Sequence, residues 1–201
     1  MMAWLLMALL GAEPANPLSI SLDQEIEDQI LSQLQALDTR EKERVLQSFE
    51  ETVFPSARIH YELGLQYYQR GDVLVAESQY EEALKIDSAY APALYDLAEI
   101  LLMRGDVSIA KQHFMTLQQM GQHWVVSYRL AQISAGEGHT KQMETHLKRA
   151  LREGMPSQIL IDDKAQWQSY LQRSDVARSI ELLLCALGYE AIWLEIRPIN
   201  P

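Results

Sequence analysis

Between Tyr61 and Ala150 apolar residues recur at intervals of three and four, and the whole pattern repeats about once every 34 residues. Residues 61–72 match residues 95–106 position by position at a spacing of 34, and a third copy runs from Tyr128 to His139, displaced by 33. Tyr61, Tyr95 and Tyr128 correspond, as do Leu63, Leu97 and Leu130, and then Gly71, Gly105 and Gly138. The second half of each unit recurs too: Ala76, Ala110 and Met143; Tyr80, Phe114 and Leu147; Ala83, Leu117 and Ala150. Three- and four-residue spacing puts these side chains on one stripe of a helix. Gly64, Ala98 and Ala131 are small where a neighbouring helix must come close, and Ala76 and Ala110 give the opposing small surface. The three glycines fall where a first helix must stop in a left-handed turn. Asp72 and Asp106 follow and are expected to accept the free N–H groups of the next helix. Each unit therefore predicts an antiparallel helix pair, and stacking the pairs buries one continuous core.

Leu63, Gly64, Tyr67, Gly71, Asp72, Ala76, Tyr80, Ala83 and Leu84 in the first unit resemble a tetratricopeptide repeat (TPR). The second unit carries Leu97, Ala98, Gly105, Ala110 and Phe114. In the third, Met143 replaces the small residue, Ser134 the aromatic one, and Gly136 weakens the helix end. Ser88 stands where the family closes its repeat with Pro, and Pro92 lies nearby. The resemblance covers residues 57–154 and implies an all-α fold, a short right-handed α-solenoid. Its three repeats would be 57–90, 91–123 and 124–154, with helical caps at both ends. In such a stack first helices line a concave face, here presenting Tyr61, Leu65, Tyr68, Tyr95, Glu99, Leu102, Tyr128 and Gln132. Tyr offers an apolar ring and a hydroxyl at low entropic cost, which suits gripping a peptide; the alternative is that Tyr is framework at this position. A version of the family that clamps the carboxylate of a chaperone tail would use the positions of Tyr61, Leu65, Asp96, Val125 and Arg129. Only Arg129 suits that clamp, and Asp96 opposes an acidic tail.

Residues 16–56 read as an N-terminal helical cap. Ile26, Ile30, Leu34 and Leu37 form one stripe, opened by Ser21 and Gln24 in capping-box order. Asp38-Thr39 starts a second stripe of Val45, Leu46, Phe49 and Val53 that ends before Pro55. After Gly154 and Pro156 the register breaks. Residues 155–201 read as a C-terminal cap and tail, with helices over 160–171 and 175–187, the latter opened by Ser174 and stopped by Gly188. Ala191 to Pro198 is ambiguous between a strand and an extended arm. Trp193, Leu194 and Ile196 are expected to fold back onto the domain, the alternative being a docking surface.

Composition narrows the partners. Acidic residues outnumber basic ones by 28 to 17, a formal charge of −11, with no run of Lys and Arg. Nucleic acid and anionic membrane surfaces are disfavoured. The single cysteine, Cys185, lies in an apolar run and reads as a buried, inert thiol. Residues 1–15 read as an export signal. Ala3 to Leu10 is unbroken apolar sequence followed by small residues, and it is too short to span a bilayer, which takes about 20 apolar residues. The alternative is an apolar helix packed on the protein. Export implies the periplasm or cell envelope of a bacterium; the alternative implies the cytoplasm.

Candidate chemistry is sparse. His139, Met143 and His146 lie at helical spacing, but Met143 should point into its hairpin and no carboxylate or Cys joins them, so no metal site is expected. Asp162-Asp163 suit capping of a helix N-terminus better than paired-acid catalysis. Phosphate loops, nucleophile elbows and HExxH are missing. The chain is expected to be no enzyme and to need no cofactor. It reads as a module binding an unidentified protein or peptide in its groove, as an exported adaptor or assembly factor. A second reading is structural, through homo-oligomerisation.

Overall fold

The computed structural model describes residues 32, 34, 37–52, 56–121 and 123–198. Its elements are α1 (Thr39–Thr52), α2 (Ala57–Arg70), α3 (Val73–Ile86), α4 (Ala91–Arg104), α5 (Val107–Met120), α6 (Trp124–Glu137), α7 (Thr140–Arg152), α8 (Gln158–Asp162), α9 (Lys164–Tyr170), α10 (Ser174–Ala186) and α11 (Glu190–Ile196). There is no strand among the described residues, and the fold is an α-solenoid of helix-turn-helix repeats. Two compact units, Met1–Ile100 and Leu101–Pro201, divide within α4.

In the first unit, Asp38 opens α1. Its Oδ1 accepts the N–H groups of Arg40 and Glu41 at 2.9 Å, and Glu41 Oε2 accepts the Asp38 N–H at 3.4 Å, a reciprocal capping box. α1 packs on α2, and Gln47 Nε2 donates to the Tyr67 hydroxyl at 2.7 Å. Ser56 caps α2 by accepting the Ile59 N–H. α2 ends at Gly71, φ 88°, where the Gly71 N–H reaches the Tyr68 carbonyl and the Asp72 N–H reaches that of Tyr67. This bend lets α3 fold back along α2, and the pair closes over Leu63, Ala76, Tyr80 and Ala83, all buried. Gly64 is required by contact: a Cβ there would lie 2.5 Å from Tyr80 Cε1. The first stripe of the N-terminal cap, from Ser21, lies outside the described residues, apart from buried Leu34 and half-buried Leu37.

The second unit repeats the same bend. Gly105 (φ 93°) and Gly138 (φ 76°) stop α4 and α6, with the Asp106 N–H on the Leu101 carbonyl and the His139 N–H on that of Ser134. A left-handed backbone strains any residue with a Cβ, so the recurring glycine has a physical cause. The role expected of the following aspartates is corrected. Neither carboxylate caps the next helix; Asp72 pairs with Arg70 at 3.0 Å and Asp106 with Arg104. With ψ 59° at Asp72 and 54° at Asp106, only the aspartate carbonyls reach the helix N–H groups, those of Val75 and Ala76, then Ile109 and Ala110.

α6 and α7 form a hairpin whose core of Ala131, Met143, Leu147 and Ala150 continues into Leu160, Trp167, Val176, Ile180, Leu184 and Ile196. Five expectations about the C-terminal region change. The stretch read as one helix over 160–171 is two, α8 and α9, broken at Asp163. Ser174 lies inside α10; Arg173 is the N-cap and makes no side-chain cap bond. The tail is neither strand nor arm but helix α11, because Ile192, Trp193 and Ile196 meet the core at helical spacing after Gly188 turns the chain. Trp193 and Ile196 fold back as expected, whereas Leu194 stays 57% exposed. Cys185 is exposed, since Leu184 takes the core position and the next residue is rotated about 100° away. Among the described residues no helix is long and apolar enough to cross a membrane.

Candidate functional site

The expected groove residues fall in both units. In the first, Tyr61, Leu65 and Tyr68 stand on α2 at i, i+4 and i+7, and Tyr95 and Glu99 on α4 at i and i+4, so each set shares a helix face. Tyr68 is 41% exposed and the other four are partly buried. The Tyr61 ring is held by two others: it stacks on Tyr80, centroids 5.6 Å apart, and meets Tyr90 edge-on at 5.7 Å. Its hydroxyl donates to the Asp96 carboxylate, and burial first, then that carboxylate, push the phenol well above its ordinary range. Burial likewise raises Asp96, opposed by the bond from Tyr61. Tyr61 thus offers a fixed, protonated, partly open ring.

In the second unit Tyr128 is differently placed. It is 3% exposed, its hydroxyl donates to Asp163 Oδ2 at 2.7 Å, and it accepts the Trp167 indole N–H at 2.8 Å. Burial and then Asp163 raise its pKa. The expected Tyr128 ring does not reach open space: the α8–α9 break covers it. Asp163 was expected to cap a helix; its carboxylate instead serves Tyr128 and, at 3.3 Å, Gln132 Nε2.

The structure does gather Leu102, Arg129 and Gln132. They line a cleft of 590 Å³ with Val107, Ser108, Ile133, Gly136, Glu137, Gln166 and Tyr170. A chain of hydrogen bonds fixes its polar wall. Arg129 donates to Gln132 Oε1 at 2.9 Å, Gln132 Nε2 to Gln166 Oε1 at 3.0 Å, and Gln166 Nε2 to the Tyr170 hydroxyl at 2.8 Å. Leu102, Val107, Ile133 and the Tyr170 ring supply apolar surface. At the other end Glu137 accepts bonds from Lys111 and His139; burial would raise its pKa, but those partners outweigh it and hold the carboxyl below its usual range. A pocket with apolar surface and a few fixed polar groups is the usual form of a ligand site.

Sequence reading missed Gln166, Tyr170 and Asp163 as members of this site. The signal was present as spacing: Asp163 follows Tyr128 by 35 residues as Asp96 follows Tyr61, and Gln166 follows Gln132 by 34. Among the described residues no group of three His, Cys, Asp or Glu could hold a metal. Met143 is buried, His139 bonds Glu137, and His146 faces Gln118 at 3.4 Å.

No family model matches the sequence, and no curated protein does. Among solved structures 22 chains match. One is the crystal structure of MamA, a TPR-type helical repeat protein, with a TM-score of 0.54 and 12% identity over 88% of this chain and 92% of that one. That likeness concerns the fold alone: the chain has a TPR-like fold.

Proposed function

We propose that this chain is a protein-interaction module that binds an extended peptide or protein segment, with the cleft beside α6 as a principal contact. The observation that carries this reading is the preformed wall of Arg129, Gln132, Gln166 and Tyr170, opposed by Leu102, Val107 and Ile133. Fixed side-chain amides suit a peptide backbone, whose N–H and C=O groups must be satisfied, and the apolar surface suits its side chains. Tyr61, Leu65, Tyr68, Tyr95 and Glu99 form the corresponding face of the first unit, with Tyr61 held in place before any ligand arrives. Little rearrangement is then needed on binding. The TPR-like fold supports a scaffold role over catalysis. Export rests on Ala3 to Leu10, and the intact mass of the mature protein tests it.

The test is a peptide library selected on the immobilised protein, with enriched peptides titrated against Gln132→Ala, Gln166→Ala and the double variant Tyr61→Ala/Tyr95→Ala. Each variant must first match the parent in thermal unfolding. The reading expects at least tenfold weaker binding in one set; unchanged affinity in all three would sink it. Exposed Leu182, Leu194 and Cys185 favour a second reading, self-association through α10 and α11. Light scattering decides that one, since a strict monomer excludes it.

A further inference from the structure

The wall of the cleft beside α6 includes a position without a side chain. Gly136 sits in the last turn of α6, two residues before the bend at Gly138. The equivalent positions in the other repeats, two before Gly71 and Gly105, hold Gln69 and Met103, both exposed. Gly at a helical site is unfavourable compared with Ala, and no left-handed backbone requires it here, since Gly136 is outside the set with positive φ. Crowding does not require it either. A Cβ at Gly136 would meet only Tyr170 Cε1, at an ordinary 3.6 Å. What the glycine does is leave the cleft open beside the Tyr170 ring, where a longer side chain would project.

Resting on the binding reading above, we infer that Gly136 is a specificity-determining residue, and that the slot it opens receives one bulky, uncharged apolar side chain of the bound segment. The lining points to an uncharged occupant, since Leu102, Val107, Ile133 and the Tyr170 ring are apolar. Arg129 and Glu137 stand eight residues apart on α6, about 12 Å of helix rise, one donating to Gln132 and the other accepting from Lys111 and His139. Between them, at the midpoint of the same face, is Ile133. An apolar side chain entering there removes its own surface and part of the Tyr170 ring from water, while a charged one would lose its hydration against the apolar walls. Gln166, exposed beside the slot and braced by buried Gln132, offers its amide to the backbone of the bound segment.

The probes are N-acetyl-leucinamide and N-acetyl-tryptophanamide, with N-acetyl-glycinamide as control, titrated by NMR on the full chain. The inference expects shifts of the Gly136 and Glu137 backbone amides and the Gln132 and Gln166 side-chain amides with the first two probes and not the third. Gly136→Leu should weaken both probes at least tenfold while raising or preserving the melting temperature. Gly136→Met, the residue of the second repeat, is the second variant should Leu fail to fold, with the same loss expected. Library peptides should also carry a Leu or aromatic anchor and lose at least tenfold in these variants. Wild-type titration in a folded Gly136→Leu or Gly136→Met protein, or no shift with any probe, overturns the slot. Peptides that bind tightly yet ignore both substitutions would overturn it while leaving the binding module standing. A library yielding no binder at all would fail that module instead.

Discussion

Tyr61 and Tyr128 occupy the same repeat position, and each hydroxyl donates to an aspartate 35 residues further on. Their surroundings differ. Tyr61 has other tyrosine rings on two sides and keeps part of its surface open, whereas Tyr128 is roofed by Trp167 and buried. The shared aspartate bond belongs to the helix-pair geometry, which fixes what lies one period ahead. Exposure belongs to whatever element follows, an intact α4 for Tyr61 and the broken α8–α9 for Tyr128. A repeat position therefore predicts a contact better than it predicts a surface.

Substitutions can separate the two environments, and the core beneath Tyr128 should respond most. Trp167→Ala removes a fully buried indole and leaves the Tyr128 hydroxyl without its donor. A loss of about 3–5 kcal/mol in urea unfolding is expected. A smaller effect would mean that the C-terminal cap is an appendage and not core. Gly64→Val, which forces a side chain into the Tyr80 ring, should cost about 1–3 kcal/mol as overpacking. Removing single hydroxyls sharpens the contrast. Tyr128→Phe strands a buried indole N–H and should cost about 1–3 kcal/mol, while Tyr61→Phe, partly open to water, should cost about 1 kcal/mol or less. Equal losses would show that burial does not distinguish the two sites. Gly105→Ala places a Cβ in a left-handed bend with open space around it, so only backbone strain remains, roughly 1–2 kcal/mol.

The parts of the fold written in short-range chemistry were legible without coordinates. The bends at Gly71, Gly105 and Gly138, the close approach at Gly64, and the buried Ala76, Tyr80, Ala110 and Phe114 follow from what only those residue types can do. The family resemblance names Leu102 and Gln132 as groove residues and Arg129 as the one position suited to a carboxylate clamp; the structure sets all three along one cleft. Misreadings arose where several solutions satisfy one local pattern. Asp72 and Asp106 follow a helix end as caps do, yet Arg70 and Arg104 compete for their carboxylates. Residues 191–198 are apolar enough for strand or helix, and only contact with the core through Ile192 and Ile196 decides. Cys185 lies in an apolar run whose phase, set by Ile180 and Leu184, turns it outward. The burial of Tyr128 was illegible because its cover comes from beyond Gly154, where repeat residues stop and only the spacing persists.

Acid gives the gentlest way to part the two regions, because their half-buried titratable groups have opposite signs. In the first unit burial raises Glu62, opposed by Arg58 and Lys42, and raises Asp96, opposed by Tyr61. A carboxyl whose folded pKa lies above its unfolded value holds its proton more tightly when folded. Its contribution is fully present below the unfolded pKa and is lost as pH rises through the folded one. In the second unit burial lowers His113, and burial followed by Lys111 and Arg149 lowers His146. The fold favours the neutral form of those imidazoles, so their contribution is present above the unfolded value of 6.5 and is lost as pH falls through the folded one. Acidification from pH 7 toward 5 should therefore weaken α5 to α7 and leave α2 and α3 unchanged or firmer. Hydrogen exchange, corrected for the intrinsic pH dependence of amides, reads this helix by helix. His146→Gln, which keeps a neutral hydrogen-bonding side chain opposite Gln118, should flatten the response of α7. If protection in both regions falls in parallel and His146→Gln changes nothing, the half-buried imidazoles are not what sets the acid response of the second unit.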